Sequence, residues 1–310
     1  MEIGFVVLSH NQPQQVARLV RTLSRLYDAP PIACHHDTSQ SPIDPGLFPS
    51  NARFVAPTIR TGWGKWSIVE AGLAGLRLLY DKADPDWFFL LSGADYPIAP
   101  ASRVRTELAQ ATVQALIDYR HPGSDAATAA AQFGPRNPSL GHFEAPGNRE
   151  MLRARYKGAQ AWFPGLRRTP VGGLRLGRYT LHLPFENPFH PFDADFPCFC
   201  GDQWFAGSRE SARALLNPTP RELRLRRYLS TRAVPDECYY QTVLCNRPEL
   251  TAGRDSRRYT RWNGGGAHPA QLTLADLDPA FASGAWFARK FAPDDPALDR
   301  VDEVLGAPVA

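Results

Sequence analysis

The sequence predicts an α/β fold in which a central, mostly parallel sheet is flanked by helices. Three observations carry this. Short unbroken apolar runs, Ile3–Leu8 and Trp87–Leu91, stop at small polar residues, the pattern of strands buried on both faces. Segments with apolar residues spaced by three and four, Gln12–Tyr27 and Trp66–Tyr80, alternate with such runs. No repeat, linker or low-complexity tract divides the 310 residues, a length that one large α/β domain can fill.

The elements follow in order. Ile3–Leu8 is a strand, and Ser9-His10-Asn11 is the turn that ends it. Pro13 suits the first turn of the helix after it, which buries Val16, Leu19, Val20, Leu23 and Leu26 on one face. Pro31–His36 and Asn51–Ala56 read as the next strands. The helix over Trp66–Tyr80 aligns Val69, Leu73, Leu76 and Leu79. Trp87–Leu91 is the organising strand, followed by a helix over Val104–Ala111 and a strand over Val113–Tyr119. Strand–helix alternation at this density implies parallel βαβ units. Residues 121–195 are rich in Pro, Gly, Arg and aromatics and are expected to be an irregular insertion, with a short helix at Met151–Tyr156. Order returns with a strand at Gln203–Gly207, a helix capped by Ser208, and a helix over Pro235–Cys245 opened by its proline. A Gly264–Gly266 loop, a helix from Thr273 and the run Phe287-Ala-Arg-Lys-Phe291 close the chain.

Composition narrows the function classes. Apolar content of 43% and charge of 21% suit a globular protein. The 35 basic and 31 acidic residues leave a formal charge of +4, too small and too dispersed for a nucleic-acid stripe. No run approaches the length of a membrane span, and the N-terminus enters a strand pattern with no basic leader. Five cysteines without a framework spacing point to reduced thiols, so a cytoplasmic location is expected. Arg149, Arg153, Arg155, Lys157, Arg167, Arg168, Arg175 and Arg178 form a basic run that reads either as a solvated face or as an acceptor or peripheral membrane patch.

Candidate chemistry lies where strands end, because ligands of open α/β sheets bind past the carboxyl ends of the strands. Asp95 and Tyr96 follow the Trp87–Leu91 strand, and Asp95 is either a turn residue or a ligand contact. His35-His36-Asp37 ends another strand; adjacent side chains on a strand point apart, so a shared metal is disfavoured and a ribose or base contact fits better. Asp236 and Glu237 fall in a first helical turn, where the dipole favours carboxylates. Crowding by Cys238, Tyr239 and Tyr240 would instead make one of them a desolvated general base. Asp84-Pro-Asp86 precedes its strand and Asp193-Ala-Asp195 sits in a proline-rich loop, so neither is a convincing metal dyad. No dinucleotide fingerprint, Walker loop or Gly-x-Ser-x-Gly elbow is present. Arg289-Lys290, held between Phe287 and Phe291, reads as a surface charge pair or as a cation pair for a diphosphate.

Seven segments in order resemble the core-2/I-branching enzyme family, which includes branching β-1,6-N-acetylglucosaminyltransferases and is related to peptide O-xylosyltransferases. They are Leu8-Ser-His10 with Pro13; His35-His-Asp37; Trp66-Ser-Ile-Val-Glu-Ala71; Leu91-Ser-Gly-Ala-Asp-Tyr-Pro-Ile98; Phe199-Cys-Gly201 with Trp204-Phe205; Pro235-Asp-Glu237; and Phe287-Ala-Arg-Lys-Phe291. The resemblance implies a GT-A-like fold and an inverting glycosyltransferase that uses a UDP-sugar, carrying GlcNAc or xylose, without a divalent metal or other cofactor. It places the catalytic base on Glu237, a uridine contact on Asp37, an aromatic beside the uracil on Trp63, and a metal-replacing lysine on Lys290. The family's diphosphate arginine has no counterpart in register, so either His268, Arg289 or Arg261 substitutes or the donor differs. Asp95, Trp204 and Asp236 are the candidates for donor-sugar or acceptor contacts. Asp202, an unusual acid after Gly201, is the one residue that could recruit a metal together with Asp95. The implied division is a nucleotide-binding half over 1–120, the insertion over 121–195, and an acceptor and catalytic half over 196–310. A glycan, lipid-linked or protein acceptor is expected, at the cytoplasmic face of an inner membrane or free of it. The alternative is a sugar-nucleotide-binding protein of the same fold with little turnover. A nucleotidyltransferase would need paired metal-binding acids that the sequence lacks.

Overall fold

A computed structural model describes residues 1–121, 152–168, 174–262 and 269–306. Its centre is a seven-stranded sheet in the order β10-β6-β9-β4-β1-β2-β3. These strands are β1 (Ile3–Ser9), β2 (Ile32–His36), β3 (Ala52–Phe54), β4 (Trp87–Ser92), β6 (Ala115–Leu116), β9 (Ala206–Ser208) and β10 (Ala252–Gly253). The β1–β2, β1–β4, β2–β3 and β10–β6 pairs are parallel, while β9 runs antiparallel to both β4 and β6. The mostly parallel α/β sheet expected from the apolar runs is therefore present.

The two long strands show why unbroken apolar runs were needed. Successive side chains on a strand point to opposite faces. Phe5, Val7, Phe89 and Leu91 enter one core with Val16, Leu19 and Leu23 of helix α1 (Pro13–Leu26) and Val104 of helix α3 (Ala101–Ala109). Val6, Leu8, Phe88 and Leu90 enter the other, with Val69, Leu76 and Leu79 of helix α2 (Trp66–Lys82) and Tyr239, Tyr240 and Val243 of the helix Tyr239–Cys245. Phe5 stacks on Phe89 at 5.6 Å within the first core. Burying each such ring contributes roughly 1.5–3 kcal/mol. Gly75 lets α2 press onto the sheet, since a Cβ there would lie 2.6 Å from Cγ1 of Val6.

The seven-stranded sheet is not the whole scaffold. A three-stranded sheet in the order β11-β12-β5 joins Arg258–Thr260, Phe287–Arg289 and Tyr96–Pro97, and so fixes the Arg289–Lys290 segment beside the end of β4. The short helix expected in the insertion is present at residues 152–156, but the rest departs from expectation: β7 (Gly158–Arg168) and β8 (Leu174–Glu186) pair as an antiparallel hairpin. Pro164, Gly165 and Gly177 interrupt its alternation and hide a period of two. Arg149, and the side chains of Arg167, Arg168, Arg175 and Arg178, lie outside the described residues. The expected helix over Pro235–Cys245 is also divided. Pro235–Glu237 is a separate 3₁₀ turn, Cys238 breaks the path, and the α-helix begins at Tyr239. Asp236 and Glu237 therefore do not sit in the first turn of that helix. Helices Pro220–Leu229 and Pro296–Val304, not anticipated from the sequence, complete the flanks; a Thr219–Glu222 capping box opens the first. Cys34, Cys198, Cys200 and Cys238 are buried free thiols, and Cys245 is a half-buried one. Among the described residues no helix is long and apolar enough to cross a membrane.

Candidate active site

The loops after β1, β2 and β4 open onto one cleft of about 630 Å³, the size of a small-molecule site. Ser9–Asn11, His35 and Ser92–Ala94 line its floor. Thr61 and Trp63 come from the loop before α2, Asp202–Trp204 from the stretch before β9, Asp236 and Glu237 from the 3₁₀ turn, and Arg289 and Lys290 from the end of β12. Residues separated by more than 200 positions thus meet at the carboxyl edge of the sheet, as the strand ends predicted.

The 3₁₀ turn is held by the insertion and by the α2 approach. Val234, just before it, adopts φ 54°, a left-handed conformation that is costly for a β-branched residue. Its N–H donates to the Gly64 carbonyl at 2.9 Å, and its own carbonyl accepts from the Tyr156 hydroxyl at 2.7 Å. From the same short helix, Arg155 Nη1 reaches Oε2 of Glu237 at 3.3 Å. The Glu237 carbonyl accepts from Gly201 N–H at 2.9 Å. That approach requires a glycine, because a Cβ on Gly201 would fall 2.0 Å from the Asp118 carbonyl oxygen. Burial, and then the neighbouring Asp236, push the Glu237 carboxyl up, with Arg155 opposing. Burial also raises Asp236. A carboxyl raised this way and open to a cleft is suited to proton transfer near neutral pH.

The cation end is organised by Asp95. This side chain is wholly buried; its Oδ1 accepts from the Ser92 hydroxyl at 2.7 Å, and the carboxylate pairs with Arg289 at 3.0 Å and Arg258 at 3.2 Å. Asp95, expected at a sugar, is instead behind the cleft wall, where two arginines and the Ser92 turn fill its oxygens. Removing one partner of such a buried cluster costs about 3–5 kcal/mol, so Asp95 fixes Arg289 firmly. Arg289 lies over the Trp204 ring at 4.9 Å and approaches Asp202 at 4.0 Å. The pair named as an alternative metal site, Asp95 and Asp202, thus faces a guanidinium. Burial raises the Asp202 carboxyl, opposed by Arg289 and Arg258. Lys290 is half-buried beside it, and burial followed by the Arg289 charge lowers its ammonium.

Asp37 also differs from expectation. It is buried and does not line the cleft; its Oδ1 accepts from Ser39 N–H and hydroxyl, and its Oδ2 from Gln40 and from Thr61 N–H and hydroxyl. Burial opposes ionisation, but these donors hold the carboxyl well below the usual range. Asp37 therefore braces the loops that present Gln40, Thr61 and Trp63. Trp63 is 70% exposed and lines the cleft. Trp204 and Asp236 line it too, and Arg261 pairs with Asp276 at 2.8 Å without lining it. His268 lies outside the described residues. Sequence reasoning did not single out Arg155 or Arg258 for the site. In the sequence Arg155 is only one member of a basic run on a short helix, with nothing local to aim it at Glu237, and nothing local to Arg258 marks it as a buried partner of Asp95.

Residues 135–283 match the model of the Core-2/I-branching enzyme family. The chain is 35% identical over 241 residues to the beta-glucuronosyltransferase GlcAT14A of Arabidopsis thaliana, covering 75% of this chain and 45% of that protein. It is 34% identical to GlcAT14B, covering 75% and 46%, and 27% identical to GlcAT14C, covering 77% and 55%; both are also beta-glucuronosyltransferases of Arabidopsis thaliana. The chain spans about half the length of these curated relatives. Among solved structures, a CMP:2-keto-3-deoxy-manno-octonic acid synthetase complexed with CTP aligns over 73% of this chain and 86% of its own at 13% identity, with a TM-score of 0.28.

Proposed function

We propose that this chain, a member of the core-2/I-branching enzyme family, is an inverting glycosyltransferase that moves a sugar from a UDP-sugar to a hydroxyl of a glycan or glycoconjugate. The observation that supports this best is Glu237, a raised carboxyl in the cleft wall held by Arg155 and by the Gly201 contact. Glu237 takes the proton of the acceptor hydroxyl as that oxygen attacks the anomeric carbon in line. Trp63, with Gln40 and Thr61 braced by Asp37, takes the uridine end. Lys290 and Arg289 stabilise the charge growing on the departing UDP, so no divalent metal is needed. Arg289 serves as the second cation for which the aligned sequence offers no arginine in register.

The relatives' names make glucuronic acid the first donor sugar to test, ahead of the GlcNAc and xylose that the family resemblance implied. A thermal-shift screen of UDP-glucuronate, UDP-GlcNAc, UDP-xylose, a GDP-sugar and a CMP-sugar tests the donor class. A ligand at 100 times its Kd stabilises the folded state by about 2.7 kcal/mol. The expected result is a shift with UDP and with one or more UDP-sugars, largest for UDP-glucuronate. A shift confined to GDP- or CMP-sugars contradicts the uridine assignment.

A further inference from the structure

We infer that Gln203 and Asp236 together form a subsite that binds ring hydroxyls of a pyranose beside Glu237. The two side chains line the same cleft and are 5% and 7% exposed. Each carries a buried polar atom without a hydrogen-bond partner, Nε2 of Gln203 and Oδ1 of Asp236. The stretches that carry them are tied together by one backbone bond and one from the Gln241 side chain. Gly201 N–H donates to the Glu237 carbonyl at 2.9 Å, and the Gln241 amide donates to the Asp202 carbonyl at 2.7 Å. The 201–204 stretch and the 235–241 stretch therefore form one wall.

The chemistry of the two groups selects the ligand. Leaving a buried amide or carboxylate oxygen unpaired opposes folding, so both are poised for a group that arrives with the ligand. Gln203 offers a donor and Asp236 an acceptor. A hydroxyl both donates and accepts, and a pyranose presents several in a row. A phosphate has only acceptors and would be repelled by Asp236. A metal cation would satisfy Asp236 and leave the Gln203 amide unpaired. The ring belongs to either the donor or the acceptor, and this inference rests on the glycosyl-transfer reading.

The test is Gln203→Leu, which removes the amide at similar volume. Calorimetry with UDP and with UDP-glucuronate, UDP-GlcNAc and UDP-xylose is combined with the acceptor KM. If the ring is the donor's, the affinity advantage of the sugar nucleotide over UDP falls about tenfold, while UDP binding stays within about twofold. If it is the acceptor's, the acceptor KM rises about tenfold instead. In either case the thermal midpoint of the ligand-free variant equals or exceeds that of wild type, because an unpaired buried amide is gone; a side chain whose role is only structural would lower it. Gln203→Met serves the same purpose if the leucine variant does not fold. Unchanged sugar affinity together with unchanged acceptor KM, or an equal loss for UDP and UDP-sugars, overturns the subsite. A wild-type protein that binds UDP but none of the three UDP-sugars overturns the transferase reading, which separates the two failures.

Discussion

Glu237→Gln is expected to lower transfer by about 10²–10⁴-fold, the usual value of a positioned general base, while UDP affinity stays within about twofold of wild type. Glutamine keeps the size of the side chain and its place against Arg155 but cannot accept the proton. The pH dependence gives the same residue a second signature. A base works when deprotonated, and burial with Asp236 pushes this carboxyl up to about 8. Thus kcat/KM should still be rising above pH 6, where an ordinary carboxylate would already be fully ionised. Arg155→Ala removes the opposing charge and should move this limb to higher pH, whereas Asp236→Asn should move it lower. Near-normal turnover in Glu237→Gln would remove the residue from the chemistry, and a limb that levels off below pH 6 would do the same for its raised carboxyl.

Lys290→Ala should lose both donor affinity and rate, about 10²-fold or more in kcat/KM. An electrostatic clamp on a leaving group is worth several kcal/mol when its charge is fixed in a water-poor site. Lys290 meets that condition through its half-burial and its place after Arg289, whose guanidinium is pinned by Asp95 and Trp204. If Lys290 and Arg289 meet the diphosphate as proposed, activity survives excess EDTA. Loss of transfer on EDTA with recovery on Mn²⁺ would overturn this assignment. In Lys290→Ala, rate and UDP affinity should fall together; a rate loss with intact UDP binding would place the lysine away from the phosphates.

The parts of the fold that could be read from sequence are those with long local signals. β1 and β4 declare themselves by unbroken apolar runs because both faces are buried, and α1 and α2 by their helical spacing. β5 and β10 contain two residues each, too few for any periodicity to show, whereas β6 lies inside the strand read over Val113–Tyr119. The short helix at 152–156 is expected from the sequence, but the β7–β8 hairpin is hidden by the prolines, glycines and arginines around it, and nothing local shows that Arg155 would partner Glu237. The strand-end acids illustrate a different limit. Asp37 and Asp95 were placed at the correct edge of the sheet, but whether a carboxylate is free to meet a ligand depends on donors from distant residues. Thr61 fills one and Arg258 and Arg289 fill the other, and no local pattern encodes that. Gln203 shows the converse, since its unpaired amide becomes visible only once the wall around it is known.

In the proposed reaction the acceptor oxygen displaces UDP directly at the anomeric carbon, with Glu237 as base. Its most direct test is the configuration of the product, read by proton NMR of the anomeric signal in the earliest product formed from an α-linked UDP-sugar and a hydroxyl acceptor near pH 8. The expected product is β-linked and released together with one UDP per transfer, with the signal strongly reduced in Glu237→Gln. An α-linked product, or β-linked product formed at the wild-type rate by Glu237→Gln, would contradict it.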